Sequence, residues 1–226
     1  MKNFTFKNRF AFTMMELVFV IVVLGILAAL ALPRMERDLR QEAGDNILSA
    51  IRYTQHLAIN DDKHSLTSSN WQRALWQIRF TTNNRYSIWS DIDMEGNIDI
   101  VNPIEPAVDP LTGKNLHSPD AIQDANESPD IFLGLKYGIN NIAITGCANP
   151  NGSVQSAALS IAFDNFGRPF RGISPSGAGA GATNNYDRYV ISNCTLTFQS
   201  PSFSTNLVIQ VNRETGYAFI VDQNGS

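Results

Sequence analysis

Cysteine and histidine are scarce in this chain of 226 residues, with two and three copies, and there is no second long apolar run. Two cysteines with no nearby histidine make a poor zinc set, because a structural zinc site takes four nitrogen or sulfur ligands. His56, His64 and His117 are scattered, and no Gly-x-Ser-x-Gly turn presents a nucleophile. The alternating Gly and Ala of 177–182 lack the lysine and following helix of a phosphate-binding loop. No catalytic set emerges, and the chain reads as a non-enzyme. Basic charge is not in excess either. The 17 Lys and Arg stand against 21 Asp and Glu, which argues against a broad nucleic-acid-binding surface.

What is present is one apolar stretch with a carboxylate in it. Phe12 to Leu32 spans 21 residues, and Glu16 is its only charge. As a helix this is long enough to cross a bilayer. An ionised group inside such a helix costs about 2.5–3.5 kcal/mol on insertion scales, so it normally has a partner. Glu16 either lies in the headgroup layer at the helix end or awaits a positive charge. A cut just before Phe12 would supply one, an α-amino group with a pKa of about 8 in water. Two other readings of this end stay open. Lys2, Lys7 and Arg9 fit the basic region of a secretory signal, with Ala29-Leu30-Ala31 as its cleavage site. A plain membrane anchor is the other, and charge does not orient it, since Arg34, Arg37 and Arg40 balance the three leader charges.

The run Ala11-Phe12-Thr13-Met14-Met15-Glu16-Leu17, followed by apolar residues and Pro33, resembles the processing and assembly segment of type IV pilins and type II secretion pseudopilins. The resemblance implies a leader peptide over 1–11, removed by a prepilin peptidase between Ala11 and Phe12, with the new Phe12 N-methylated. The family usually has Gly before the cut, where this chain has Ala11. The resemblance implies a transmembrane and assembly helix over 12–33, and a periplasmic globular domain over 34–226 in which the helix continues through 34–60. Phe12, Glu16 and Pro33 would be its assembly residues, with Glu16 of one subunit neutralising the Phe12 amine of the next. The implied partners are other pilin or pseudopilin subunits, the prepilin peptidase, the inner-membrane assembly platform and membrane lipid. The implied location is the inner membrane, crossed once with the domain in the periplasm, and then the filament. Loss of the leader would leave 14 basic against 21 acidic residues, a net charge of −7.

Past Pro33 the residues Met35, Leu39, Ala43, Ile47 and Ile51 recur every four positions, with Leu48, Thr54 and Ala58 beside them. That periodicity predicts an amphipathic helix ending at Asn60-Asp61-Asp62, kinked or locally melted at Pro33. Strands are predicted at 75–80, 86–89, 131–136, 158–163, 189–198, 207–211 and 217–221. A turn at Asn83-Asn84 joins the first two. Residues 102–130 are Pro-rich and polar and predict an irregular excursion, and 174–185 a Gly- and Ser-rich loop. The predicted fold class is α+β, a long N-terminal helix, transmembrane and then amphipathic, packed on an antiparallel sheet. The stretch 47–59 with the hairpin that follows it, 161–169 and the terminal 207–216 hairpin also resemble parts of GspH/FimT-type minor pilins.

Three candidate sites follow. Cys147 and Cys194 are expected to pair, with two buried thiols as the alternative. Asp91, Asp93, Glu95 and Asp99, with Gly96 between them, have the oxygen-ligand spacing of a calcium loop, but Asn102 replaces the bidentate Glu at position twelve. The alternative, and the preferred one, is an acidic turn with no cofactor. Arg168, Arg171 and Arg188 flank the Gly-rich loop and could form a basic patch. Some minor pilins of the resembled kind bind DNA during uptake, so a DNA-binding subunit is the alternative function. The preferred expectation is arginines paired with Asp164 and Asp187, with no nucleic-acid partner.

Overall fold

The computed structural model describes residues 13–67, 71–81, 84–95, 97–101, 104–148, 159–171 and 188–221, with side chains described throughout these except at 29–38. The leader 1–11, the cleavage residues Ala11 and Phe12, and the loop 174–185 lie outside them, as does the Pro33 side chain.

Helix α1 runs Met14–Asn60. Thr13 caps it, its Oγ1 accepting the Glu16 N–H at 3.3 Å, which satisfies one of the donors that a helix N-terminus leaves open. The helical backbone is uninterrupted at Pro33, so the local melting expected there does not occur. From Ala43 onward the predicted stripe is the buried face. Ala43, Ile47, Leu48, Ile51, Thr54 and Ala58 are all buried, while Asp45, Arg52 and His56 are exposed. Thr54 is tolerated there because its hydroxyl donates to the Ala50 carbonyl at 2.8 Å. At the far end Asp61 accepts from the Trp76 indole at 2.8 Å and pairs with Lys63, fixing the helix terminus to the first strand.

The strands form two antiparallel sheets of four. In the first, β1 (Trp76–Phe80) lies between β2 (Tyr86–Trp89) and β4 (Ser160–Phe163), with β5 (Pro169–Phe170) outside β4. In the second, β3 (Asn141–Gly146), β6 (Cys194–Gln199), β7 (Leu207–Val211) and β8 (Ala218–Ile220) follow in that order. The α1 stripe touches β1 and β4 of one sheet and β7 and β8 of the other. One hydrophobic core therefore includes Ile47 and Ile51 of the helix, Ile78, Ile161 and Phe163 of the first sheet, and Leu196, Ile209 and Val211 of the second.

Gln55 ties the sheets together at their near ends. Its amide donates to the Gly167 carbonyl at 2.9 Å and to the Thr215 carbonyl at 2.8 Å. Those carbonyls belong to the turns after β4 and β7. Gly216 has φ +66°, and a Cβ added there would strike the Gly167 carbonyl oxygen. Only glycine fits both the left-handed backbone and that approach.

This architecture corrects the expected fold class in two respects. The expected sheet is two separate four-stranded sheets. Among the described residues, moreover, no helix is long and apolar enough to cross a membrane. The apolar end with described side chains, 14–28, is about 22 Å long at about 1.5 Å per residue, short of the roughly 30 Å of a bilayer core. The 21-residue span of the sequence also includes Phe12, Thr13 and 29–32.

The strand predicted at 131–136 is also corrected. That segment forms a 3₁₀ turn, Pro129–Ile131, and helix α2, Leu133–Tyr137. Ser128 caps the turn by accepting the Asp130 N–H, Pro129 preorganises it, and Gly138 ends α2 with φ +67°. Local capping outweighed apolar content. Strand β3, which was not predicted, takes the sheet edge instead.

Candidate functional site

Every described side chain from Thr13 to Ala28 is exposed, including twelve large apolar ones such as Phe19, at 69% of its full area, and Ile21, at 60%. Among the described side chains of the same helix, the buried ones begin at Ala43. Covering those twelve side chains would be worth on the order of 10–20 kcal/mol by area bookkeeping. Glu16 is the single charge in this surface. Its spacing from Thr13 also has a local meaning. Thr-x-x-Glu is the signature of a capping box, and the Thr13 half of that box is formed. The sequence carries this signal in the Thr13 to Glu16 spacing, beside the charge.

The acidic turn is built differently from a calcium loop. Asp91 and Asp93 come together with Glu105, their ligand oxygens lying within 4.8 Å of one another, while Glu95 and Asp99 stand outside this group. Asp99 instead accepts the Asn97 amide at 2.9 Å, and the Asp93 carboxylate accepts the Glu95 N–H at 3.1 Å. Gly96 lies outside the described residues, and the positive φ falls on Met94, at +62°. Sequence spacing missed Glu105 because it returns to the turn from the irregular excursion. Its two oxygens accept the backbone N–H groups of Ile92 at 2.7 Å and Asp99 at 2.9 Å. Burial raises the Glu105 pKa against the pull of those two bonds. Asp91, Asp93 and Glu105 could hold a cation, but Glu105 already serves as the internal brace of the turn.

The three arginines do not form a patch. Arg168 pairs with Asp164 at 2.7 Å, and Asp164 also accepts the N–H groups of Phe166 and Arg168. The Asp164–Arg168 segment is thus a carboxylate-braced hairpin between β4 and β5. Arg171 and Arg188 are buried, and burial lowers the pKa of Arg171. Asp187 lies outside the described residues. Among the described residues, no group of exposed cations is left here to meet a phosphate backbone.

Cys147 and Cys194 are bonded, their Cα atoms 4.5 Å apart. Gly146, with φ +71°, and Cys147, with φ +53°, turn the end of β3 back on itself. The Cys147 N–H then donates to the Asn193 carbonyl at 3.2 Å, beside the partner cysteine.

A cleft of about 380 Å³ lies between α1 and the excursion, lined by Tyr53, Tyr86, Tyr137 and several carboxylates. Lys136 bridges two of those carboxylates, Asp130 at 2.8 Å and Glu42 at 3.2 Å. The Tyr53 hydroxyl donates to the Val108 carbonyl at 2.9 Å. These bonds tie α1, α2 and the excursion to one another, so the cleft's polar groups are mostly spent on holding its walls. Compared with known families, curated proteins and solved structures, the chain matches none.

Proposed function

We propose that this chain is a structural subunit, a minor pilin or pseudopilin, of a type IV pilus or a type II secretion pseudopilus. The observation that carries the proposal is the exposed apolar stretch 14–28 with its one carboxylate, continuous with a helix whose other half is gripped by two sheets. An apolar helix surface exposed on all sides needs cover, and the same stretch of neighbouring copies offers it. Prepilin peptidase would cut between Ala11 and Phe12, and the inner-membrane platform would then insert the subunit. Before assembly the apolar end would rest in the lipid of the inner membrane with the sheets in the periplasm. The disulfide is in keeping with that oxidising compartment.

Within the filament Glu16 would face the Phe12 amine of a neighbour. Breaking a buried pair by removing one partner costs about 3–5 kcal/mol. The test is incorporation of Glu16→Ala into filaments sheared from cells, with the amount of unassembled protein measured alongside. Incorporation should fall at least tenfold while the unassembled pool persists. Equal incorporation would overturn the role of Glu16. A first residue other than Phe12 in the assembled protein would overturn the proposal as a whole.

A further inference from the structure

The face of the first sheet turned away from α1 carries a group of cationic side chains that the filament reading does not use. Strand alternation puts Arg85, Ser87 and Trp89 on this face of β2 and its N-terminal approach, and Gln77 and Arg79 on the same face of β1, with Arg79 and Ser87 directly paired in register. Ile78, Phe80, Tyr86 and Ile88 point the other way, into the core. His117, from the excursion, lies over Ser87 with Nδ1 3.1 Å from the serine Oγ.

The hydrogen bonds of the two guanidiniums are incomplete. Arg85 is buried and donates through Nε to the Ser118 carbonyl at 3.2 Å and through Nη2 to the Pro119 carbonyl at 3.0 Å. Its Nη1 is buried and has no acceptor among the described residues. Arg79 lies over the Trp89 ring at 5.1 Å, and its Nε and Nη2 are likewise buried without an acceptor. The carboxylates that act on them are Asp91 for Arg79, and Asp120 and Glu127 for Arg85. Neither guanidinium forms a salt bridge with a described residue. Burial, followed by the charges of Arg85 and Arg79, lowers the His117 pKa to about 4, so both guanidiniums are within electrostatic reach of the imidazole. Buried charged donors without acceptors are costly, and guanidinium forks suit oxyanions.

We propose that Arg79, Arg85, Ser87 and His117 form a binding site for a small oxyanion, either a free phosphate or a carboxylate. The anion would take the spare N–H groups of both arginines, and the imidazole and serine hydroxyl would close the site at one side. The two sources share one chemistry and are separated by the ligand tested.

The experiment uses the full chain in detergent micelles, with inorganic phosphate or acetate against chloride at matched ionic strength. Phosphate, acetate or both should raise the melting temperature by several degrees in the wild type, with half-effect at least tenfold higher in Arg79→Gln and Arg85→Gln. Response to phosphate alone identifies the free anion, and response to acetate the carboxylate. Nuclear magnetic resonance titration of His117 in the wild type gives a second readout that needs no variant to fold. A bound anion offsets the guanidinium charges, so the His117 pKa should move up from about 4. A melting temperature and a His117 titration unchanged by either anion would overturn the site. So would a response kept at full strength in both variants.

Discussion

Removing the Cys147–Cys194 disulfide should separate two opposing contributions to stability. The bond closes a loop with a sequence separation of 47, and in the chain-entropy model such a cross-link contributes about 4 kcal/mol by restricting the unfolded chain. Against this, Cys147 holds φ at +53°, a left-handed backbone that costs a non-glycine residue about 1–2 kcal/mol. A Cys147→Ala, Cys194→Ala variant loses the cross-link and keeps the strain, so it should be about 4 kcal/mol less stable. In a chain of this size that is roughly 8–16 °C in Tm. A Cys147→Gly, Cys194→Ala variant loses the same cross-link but relieves the backbone, and should recover about 1 kcal/mol of the loss. Urea unfolding of the full chain in micelles, without reductant, measures both, and equal m-values would show that the same surface is exposed in each case. An alanine variant as stable as the wild type would refute the loop-closure argument. A glycine variant less stable than the alanine one would refute the backbone argument.

Two further outcomes test the turns. Gly216→Ala should cost about 2–4 kcal/mol, since the new Cβ meets both a left-handed φ and the Gly167 carbonyl, and a loss under 1 kcal/mol by urea unfolding would show that the turn relaxes freely. Glu105→Gln should cost about 2 kcal/mol, because it weakens two charge-assisted bonds to backbone N–H groups. That loss should be equal with calcium and with chelator. A loss seen only in calcium would mean that Asp91, Asp93 and Glu105 hold the ion.

Much of the helix was legible because its buried face repeats at nearly the helical period. Ala43, Ile47 and Ile51 identify that face without any knowledge of what covers it. The strand at 207–211 was legible for the same reason, in period two, and the one at 86–89 as a short apolar run buried throughout. What failed was assembly at longer range. Nothing local tells β3 and β6 that they belong to a different sheet from β1 and β4, since register depends on partners far along the chain. The segment 131–136 failed for the opposite reason. Its apolar residues suggest a strand, while the Ser128-Pro129 start and the Gly138 stop favour a capped turn and helix. The acidic turn shows the same limit on the site. Asp91 and Asp93 were legible from spacing, but Glu105 reaches them only through the path of an irregular loop. The two cysteines could be expected to pair, though two buried thiols remained the alternative, whereas the cationic face over Ser87 could not be seen, because its members come from β1, the approach to β2 and the excursion.

The grip on α1 also has a mechanical consequence. The helix touches strands of both sheets along one stripe, and Gln55 joins the turns of both near its far end. A pull on the Met14 end along the helix axis would therefore load all those contacts at once, in shear. Opening them would require the stripe to slide past two sheets together, whereas a sideways pull could peel contacts one by one. The chain is built to bear tension along α1 better than across it.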